Sequence, residues 1–401
     1  MSTTPLLIDD YQGAMAALKH PALEQSLYDA GGAVMQDALI TLHGSAHSER
    51  RVVEFSVFTR RFFRHYEHEH FPATLAPLLA PYLQAGSADL VELGYRATMN
   101  LTADFAGIDR PTQSVKETET LLRLVKTFSE GATLVHSTRD PALVNAEVAA
   151  AMTCFDEDFL QPSIHRRQRL LDNDSPLPQD VLSVLLKNSA RLPLAADVLR
   201  REIAFFLQAG AHSTANAMVH ALHEIFGWCQ ATAREPASLL ADPLLLQRCV
   251  HESLRLHPAS PVAERRANAQ ANLNQQEIAA GTAVRINLQQ ANRDPSVFGA
   301  DAEQFNPQRA LPRGTWPFGL TFGYGTHACM GRDLDGGAVA KADTRPEEHQ
   351  YGIVTLLVRT LLEHQANPDP AAPPEQDHHT ARANWGRYPV LSQPPQERNT
   401  A

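Results

Sequence analysis

Cysteine is scarce and scattered in this chain. The four residues, Cys154, Cys229, Cys249 and Cys329, form no C-x-x-C pair, which argues against a zinc knuckle, a thioredoxin-like motif or a disulfide framework. Three of them, Cys154, Cys229 and Cys249, have nothing around them to suggest more than small buried apolar residues. Long hydrophobic runs are also missing: no stretch approaches the roughly 18 to 20 apolar residues needed to cross a bilayer. The opening MSTTPLLIDDYQ lacks a basic segment followed by an apolar one, so the expectation is a cytoplasmic protein without a membrane partner. Positive charge is in deficit, 35 Lys plus Arg against 45 Asp plus Glu for a net charge of -10, which disfavours wholesale binding to nucleic acid. There is no internal repeat.

What is present can bury a large core, since 43% of the 401 residues are hydrophobic. Between residues 8 and 265 apolar side chains recur at three and four, the helical spacing. The longest such run, DVLRREIAFFLQAGAHSTANAMVHALHEIFGWC, contains no proline and should cross the middle of the molecule. Beyond residue 265 the texture changes to short alternating stretches such as AVRINL with Pro, Asn and Gly between them, which predicts strands and loops. Helix returns at GIVTLLVRTLLEH, and the proline-rich segment 366–401 reads as an extended or mobile connection and tail.

The chemistry concentrates at Cys329. Residues 322–331 read FGYGTHACMG, with Gly323, Gly325 and Gly331 around the cysteine and His327 two residues before it. Glycines at this density let a backbone turn tightly and approach a flat ligand, and a thiolate on such a loop can ligate haem iron and favour O–O cleavage. From Phe322 to Gly331 the loop resembles the haem-binding signature of the cytochrome P-450 family at every specified position. Upstream, HESLRLHP carries an E-x-x-R pair as Glu252 and Arg255, and NRDPSVFGADAEQFNPQR resembles the family's meander with Arg309 completing a Glu-Arg-Arg network.

The resemblance implies a mainly α fold, a single haem domain over 1–401 with a small β-rich part, its N-terminal strands reduced. It also implies haem b (iron protoporphyrin IX) as cofactor with Cys329 as the iron ligand. His47 and Arg51, at i and i+4, match the family's H-x-x-x-R helix and would hold the haem carboxylates with His327 and one of Arg265 and Arg266. On the oxygen-side helix the family's A-G-x-acid-Thr pattern falls on Ala209, Gly210, Ala211, His212 and Ser213, followed by Thr214. The carboxylate is thus replaced by His212 and the threonine by Ser213. A histidine titrating near neutral pH could relay protons or contact substrate, and only one of Ser213 and Thr214 should face the iron, since neighbouring helix residues point about 100° apart. Phe206, Ala209, His212 and the turn 259–262 are the expected substrate-facing positions. After the cysteine loop, RDLDGGAVAKADTRPEEHQYG departs from the family's continuous helix and predicts an inserted loop at about 335–350.

By resemblance the chain is a monooxygenase taking O2, and electrons from a separate ferredoxin and ferredoxin reductase, to hydroxylate or epoxidise an apolar organic substrate. Arg60, Arg61, Arg64 and Arg332 are the expected docking charges. Two alternatives stay open: a peroxide-using or non-oxidative haem-thiolate enzyme, and a haem-binding sensor without turnover.

Overall fold

The structure is a computed structural model and describes residues 4–273 and 275–393. Its axis is a helix of 36 residues, Ala196–Ala231. Ile203, Leu207, Met218, Leu222 and Ile225 on it are all fully buried, the pattern of a helix with protein on most sides. Leu90–Ala106 packs along it; Asp89 caps that helix by accepting from the Val91 N–H at 2.9 Å, and Gly107 at φ 91° ends it. The two axes approach closely where side chains are small: a Cβ on Gly210 would lie 2.6 Å from Cγ2 of Thr102. Val115–Ala132, Pro243–Leu256 and Ile353–Glu363 complete the surround.

The main sheet has four strands in the order Leu6–Ile8, Ala283–Asn287, Val262–Ala267, Leu23–Gln25. The two N-terminal strands are three residues each and occupy the edges. Alternation along Val262–Ala267 buries Ala263, Arg265 and Ala267 and turns Arg266 outward. No helix among the described residues is long and apolar enough to cross a membrane.

Two stretches need comment. The segment from 366, expected as a mobile connection, is instead built into the fold as far as it is described: Pro389–Leu391 pairs with Ser87–Asp89 and Asn367–Pro368, and Trp385–Arg387 pairs with Glu375–Gln376. Its loop is tied down by the Ala381 N–H on the His136 carbonyl at 2.7 Å and by the Thr138 N–H on the His379 carbonyl at 3.1 Å. Pro368 and Pro389 lie in strands and Pro370 in a turn, and the rest of that expectation, 394–401, lies outside the described residues. After the cysteine loop, the helix Arg332–Asp335 stops after one turn and helix resumes at Ile353. The excursion between them is pinched at its neck: a Cβ on Gly337 would lie 2.3 Å from the Tyr351 carbonyl group, the geometry of an Ω-loop. Gln247 donates to the carbonyls of Ala338 at 3.1 Å and Tyr351 at 3.0 Å, and Glu67 accepts from the Tyr351 and Gly352 N–H groups at 2.7 and 3.2 Å.

Candidate haem and substrate site

Gly323 at φ 67° and Gly325 at φ 74° take the left-handed turns that shape the cysteine loop. The loop is closed by the Cys329 N–H on the Phe322 carbonyl at 2.8 Å. Cys329 exposes its side chain to the cavity, but its depth within the protein still pushes the thiol up to about 11, with Asp335 adding to it, while the Gly331 N–H, Arg51 and Arg332 pull the other way. Such a thiol is a poor free nucleophile and ionises when a cation meets the sulfur. Of the other cysteines, Cys229 and Cys249 are buried as expected, whereas Cys154 is only partly buried and its Sγ lies 3.2 Å from Asp158 at the surface.

Behind the loop stands a fully paired network. Glu252 accepts from Arg255 at 2.7 and 2.8 Å and from Arg309 at 3.1 Å. Arg255 also donates to the carbonyls of Asn292 and Ala302 at 2.6 and 2.7 Å. Asn292 in turn accepts from the Leu320 N–H at 2.7 Å, and Thr321 donates to the Leu254 carbonyl at 2.6 Å. The E-x-x-R helix is thereby fastened to the strand of chain that leads into Phe322.

Cys329 opens onto an internal cavity of about 500 Å³, and His47, Arg51, Arg265, Phe322, Gly323, His327 and Gly331 line the same cavity. Neither ring nitrogen of the buried His47 has a partner among the described residues, nor has Nδ1 of His327, and the two rings lie 4.5 Å apart. Arg51 reaches the Ala328 carbonyl at 2.7 Å, and the buried Arg265 reaches Oε1 of Gln25 at 2.6 Å; neither pairs with a carboxylate there. Burial, then Arg51 and His43, lower His47 to about 4, and burial, then His47 and Arg265, lower His327 to about 3. Unpartnered buried donors in a field of cations suit an anion, and the two carboxylates of haem fit this cradle. Arg266 is corrected: it faces the other side of its strand and pairs with Asp29 at 3.0 Å near the surface, because neighbouring strand residues point to opposite faces.

Across the cavity run Phe206, Ala209, Gly210, His212, Ser213 and Thr214, with Ala259, Ser260 and Pro261 beside them. Gly210 is demanded first by helix packing, as its contact with Thr102 shows. Side chains bond the helix carbonyls here: Ser213 Oγ donates to Ala209 at 2.6 Å, Thr98 to Ala211 at 2.9 Å and Asn216 to His212 at 2.8 Å. The Thr214 hydroxyl is engaged elsewhere, donating to Oδ1 of Asp335 at 2.6 Å. The expectation that His212 titrates near neutral pH is corrected. Burial, followed by Arg382 and His136, holds it well below the usual histidine range. Tyr95, pushed up to about 12 by burial, keeps its proton and places its hydroxyl 2.5 Å from Nδ1 of His212. Nδ1 of the neutral ring is thereby engaged, and Nε2 has no partner among the described residues.

Sequence reasoning missed Tyr95, Asn216, Asp335, Arg382 and Asn384. Asn216 carried a signal in its i+4 spacing from His212; Arg382 and Asn384 sat in a stretch whose polarity read as tail.

Residues 232–334 match the family model described as Cytochrome P450. The chain is 27% identical over 230 residues to the mitochondrial cholesterol side-chain cleavage enzyme of Hypanus americanus, covering 53% of the chain and 41% of that protein. It is 30% identical over 189 residues to germacrene A hydroxylase of Helianthus annuus, covering 42% of the chain and 38% of that protein. The matches thus span about two fifths of the length of these relatives. Among solved structures, P450BioI in complex with hexadec-9Z-enoic acid ligated acyl carrier protein shares the fold with a TM-score of 0.74, at 20% identity over 96% of this chain and 91% of that one. Proteins of this family bind haem b, which the cysteine loop and the anion cradle fit. Motif, network, fold and family model meet at one cavity: residues 232–334 match the cytochrome P450 model, and the fold is that of solved cytochrome P450 structures.

Proposed function

We propose that the chain is a haem-thiolate monooxygenase that hydroxylates or epoxidises an organic substrate with O2 and electrons from a separate ferredoxin and its reductase. One observation carries the reading: the cysteine loop, the unpartnered anion cradle and the oxygen-side helix share a single cavity. Bound haem supplies the oxygen-activating chemistry. Cys329 holds its iron, and Arg51, Arg265, His47 and His327 bind its carboxylates. Ser213 is the hydroxyl for the oxygen side: it bonds only a carbonyl of its own helix, at Ala209, whereas that of Thr214 is tied to the Asp335 carboxylate. His212 offers Nε2 to whatever lies beside the helix, and does so as a neutral ring. Phe58, Leu101, Phe105 and Phe206 give the substrate an apolar wall and exclude water.

Electrons would enter on the cysteine side. Arg60, Arg61 and Arg64 are exposed on Arg60–His65, which packs against Arg332–Asp335. Arg332 itself contributes less than the sequence suggests, being paired with Asp333 at 2.8 Å and stacked 4.6 Å from the Trp316 ring. Product formation compared with ferredoxin, reductase and O2, with hydrogen peroxide alone, and with neither tests the reading. Turnover with the first, falling as salt is raised, is expected; turnover with peroxide alone overturns it.

A further inference from the structure

Haem brings two carboxylates to the cavity, and Arg51 and Arg265 with two histidines answer them. A third arginine is left over. Arg382 lines the cavity from the loop before Asn384, and its guanidinium meets only neutral acceptors, all long: the Ala259 carbonyl at 3.3 Å, Thr133 Oγ1 at 3.2 Å and Thr380 Oγ1 at 3.3 Å. The Thr133 hydroxyl is itself donating to the Ser129 carbonyl at 2.8 Å. No carboxylate pairs with Arg382 among the described residues. Asp377 lies within its field, but Oδ1 of that residue already accepts from the His379 N–H at 2.9 Å.

The other groups around it are donors or neutral rings. His136 is buried with Nε2 unpartnered, and His212, engaged at Nδ1 by Tyr95, turns an unpartnered Nε2 to the same space. A guanidinium kept from water without a counter-ion is costly, and its planar fork matches a carboxylate with two parallel hydrogen bonds. The apolar wall formed by Phe58, Leu101, Phe105 and Phe206 belongs to the same cavity.

We infer that the substrate is an apolar organic acid whose carboxylate is bound by Arg382, with Nε2 of His212 as a second donor, while its hydrocarbon part lies along the phenylalanine wall. This rests on the haem-thiolate reading for where a substrate sits.

The test uses the purified, haem-loaded protein, titrated with dodecanoic acid and 4-phenylbutyric acid, each beside its methyl ester, and read by the optical shift on displacement of the iron-bound water. The acids are expected to bind roughly tenfold to a hundredfold more tightly than their esters, the range of a charge-assisted hydrogen-bonded pair. Arg382→Gln should erase that preference while leaving haem content and ester binding unchanged. Equal binding of acids and esters by the unaltered protein overturns the inference, as does a preference that survives R382Q. A folded R382Q protein that no longer retains haem overturns it too, by assigning the arginine to the haem carboxylates. Should R382Q fail to fold, R382K keeps the charge without the fork; an undiminished preference for acids in that variant counts against the inference. Failure of the underlying reading looks different: the carbon monoxide complex would lack the thiolate-type Soret band whatever the acids do.

Discussion

Arg255, fully buried, and Arg382, half-buried against the cavity, are held on opposite terms. Arg255 is gripped by both oxygens of Glu252 and by two carbonyls at 2.6 and 2.7 Å. Arg382 faces a cavity with three neutral acceptors at 3.2 to 3.3 Å and no carboxylate among the described residues. The cysteine side of the molecule satisfies its charges internally and so holds the Phe322–Gly331 loop in one shape. Among the described residues the cavity side leaves both nitrogens of His47 without partners and gives Arg51, Arg265 and Arg382 only neutral acceptors. A buried charge that is paired holds the fold together; one left unpaired destabilises the protein by itself and is retained for a ligand that pairs with it.

The comparison can be broken most forcefully from the paired side. Glu252→Ala leaves Arg255 and Arg309 buried without their counter-ion, and chemical denaturation should show a loss of about 3–5 kcal/mol. A loss below about 1 kcal/mol would mean the network holds nothing. An intermediate effect comes from His136, which burial and then Arg382 lower to about 4. Because its folded value lies below the unfolded one of about 6.5, the unfolded chain binds more protons between these values, so stability is present above about 6.5 and lost as pH falls toward 4. In His136→Gln the acid loss over that window should shrink by on the order of 1–2 kcal/mol; an unchanged pH profile would contradict the burial described. The smallest effect is expected for Arg382→Gln, whose long bonds to neutral acceptors offset little of the cost of burial. Its stability should stay within about 1 kcal/mol of the unaltered protein, and a loss as large as that of Glu252→Ala would erase the distinction between the two arginines.

The same division governs how much could be read from the sequence. On the cysteine side, local spacing carries the structure: Glu252 and Arg255 are one turn apart, and Phe322 to Gly331 is a single loop, so both were legible as strings of residues. The long helix was legible because its apolar residues recur on most sides, and Ile353–Glu363 because its periodicity resumes after the glycines. Partners distant along the chain were not. Tyr95 meets His212 across 117 positions and Thr214 meets Asp335 across 121, and no local pattern marks either pair. Which of Arg265 and Arg266 faces the cavity needed the strand's register, and the partner of the Thr214 hydroxyl needed the packing of Arg332–Asp335. The hairpin that carries Arg382 was misread because it is polar and follows a proline-rich stretch, as a linker would, and only the pairing of Trp385–Arg387 with Glu375–Gln376 distinguishes the two.

All of this rests on Cys329 as the ligand on the cysteine side of the cavity. The most direct measurement is the optical spectrum of the freshly purified, reduced protein under carbon monoxide, alongside Cys329→Ala. The account predicts the red-shifted Soret band of thiolate ligation in the unaltered protein and its absence in the variant; a band of the imidazole-ligated kind in fresh protein, or spectra unchanged by Cys329→Ala, would contradict it.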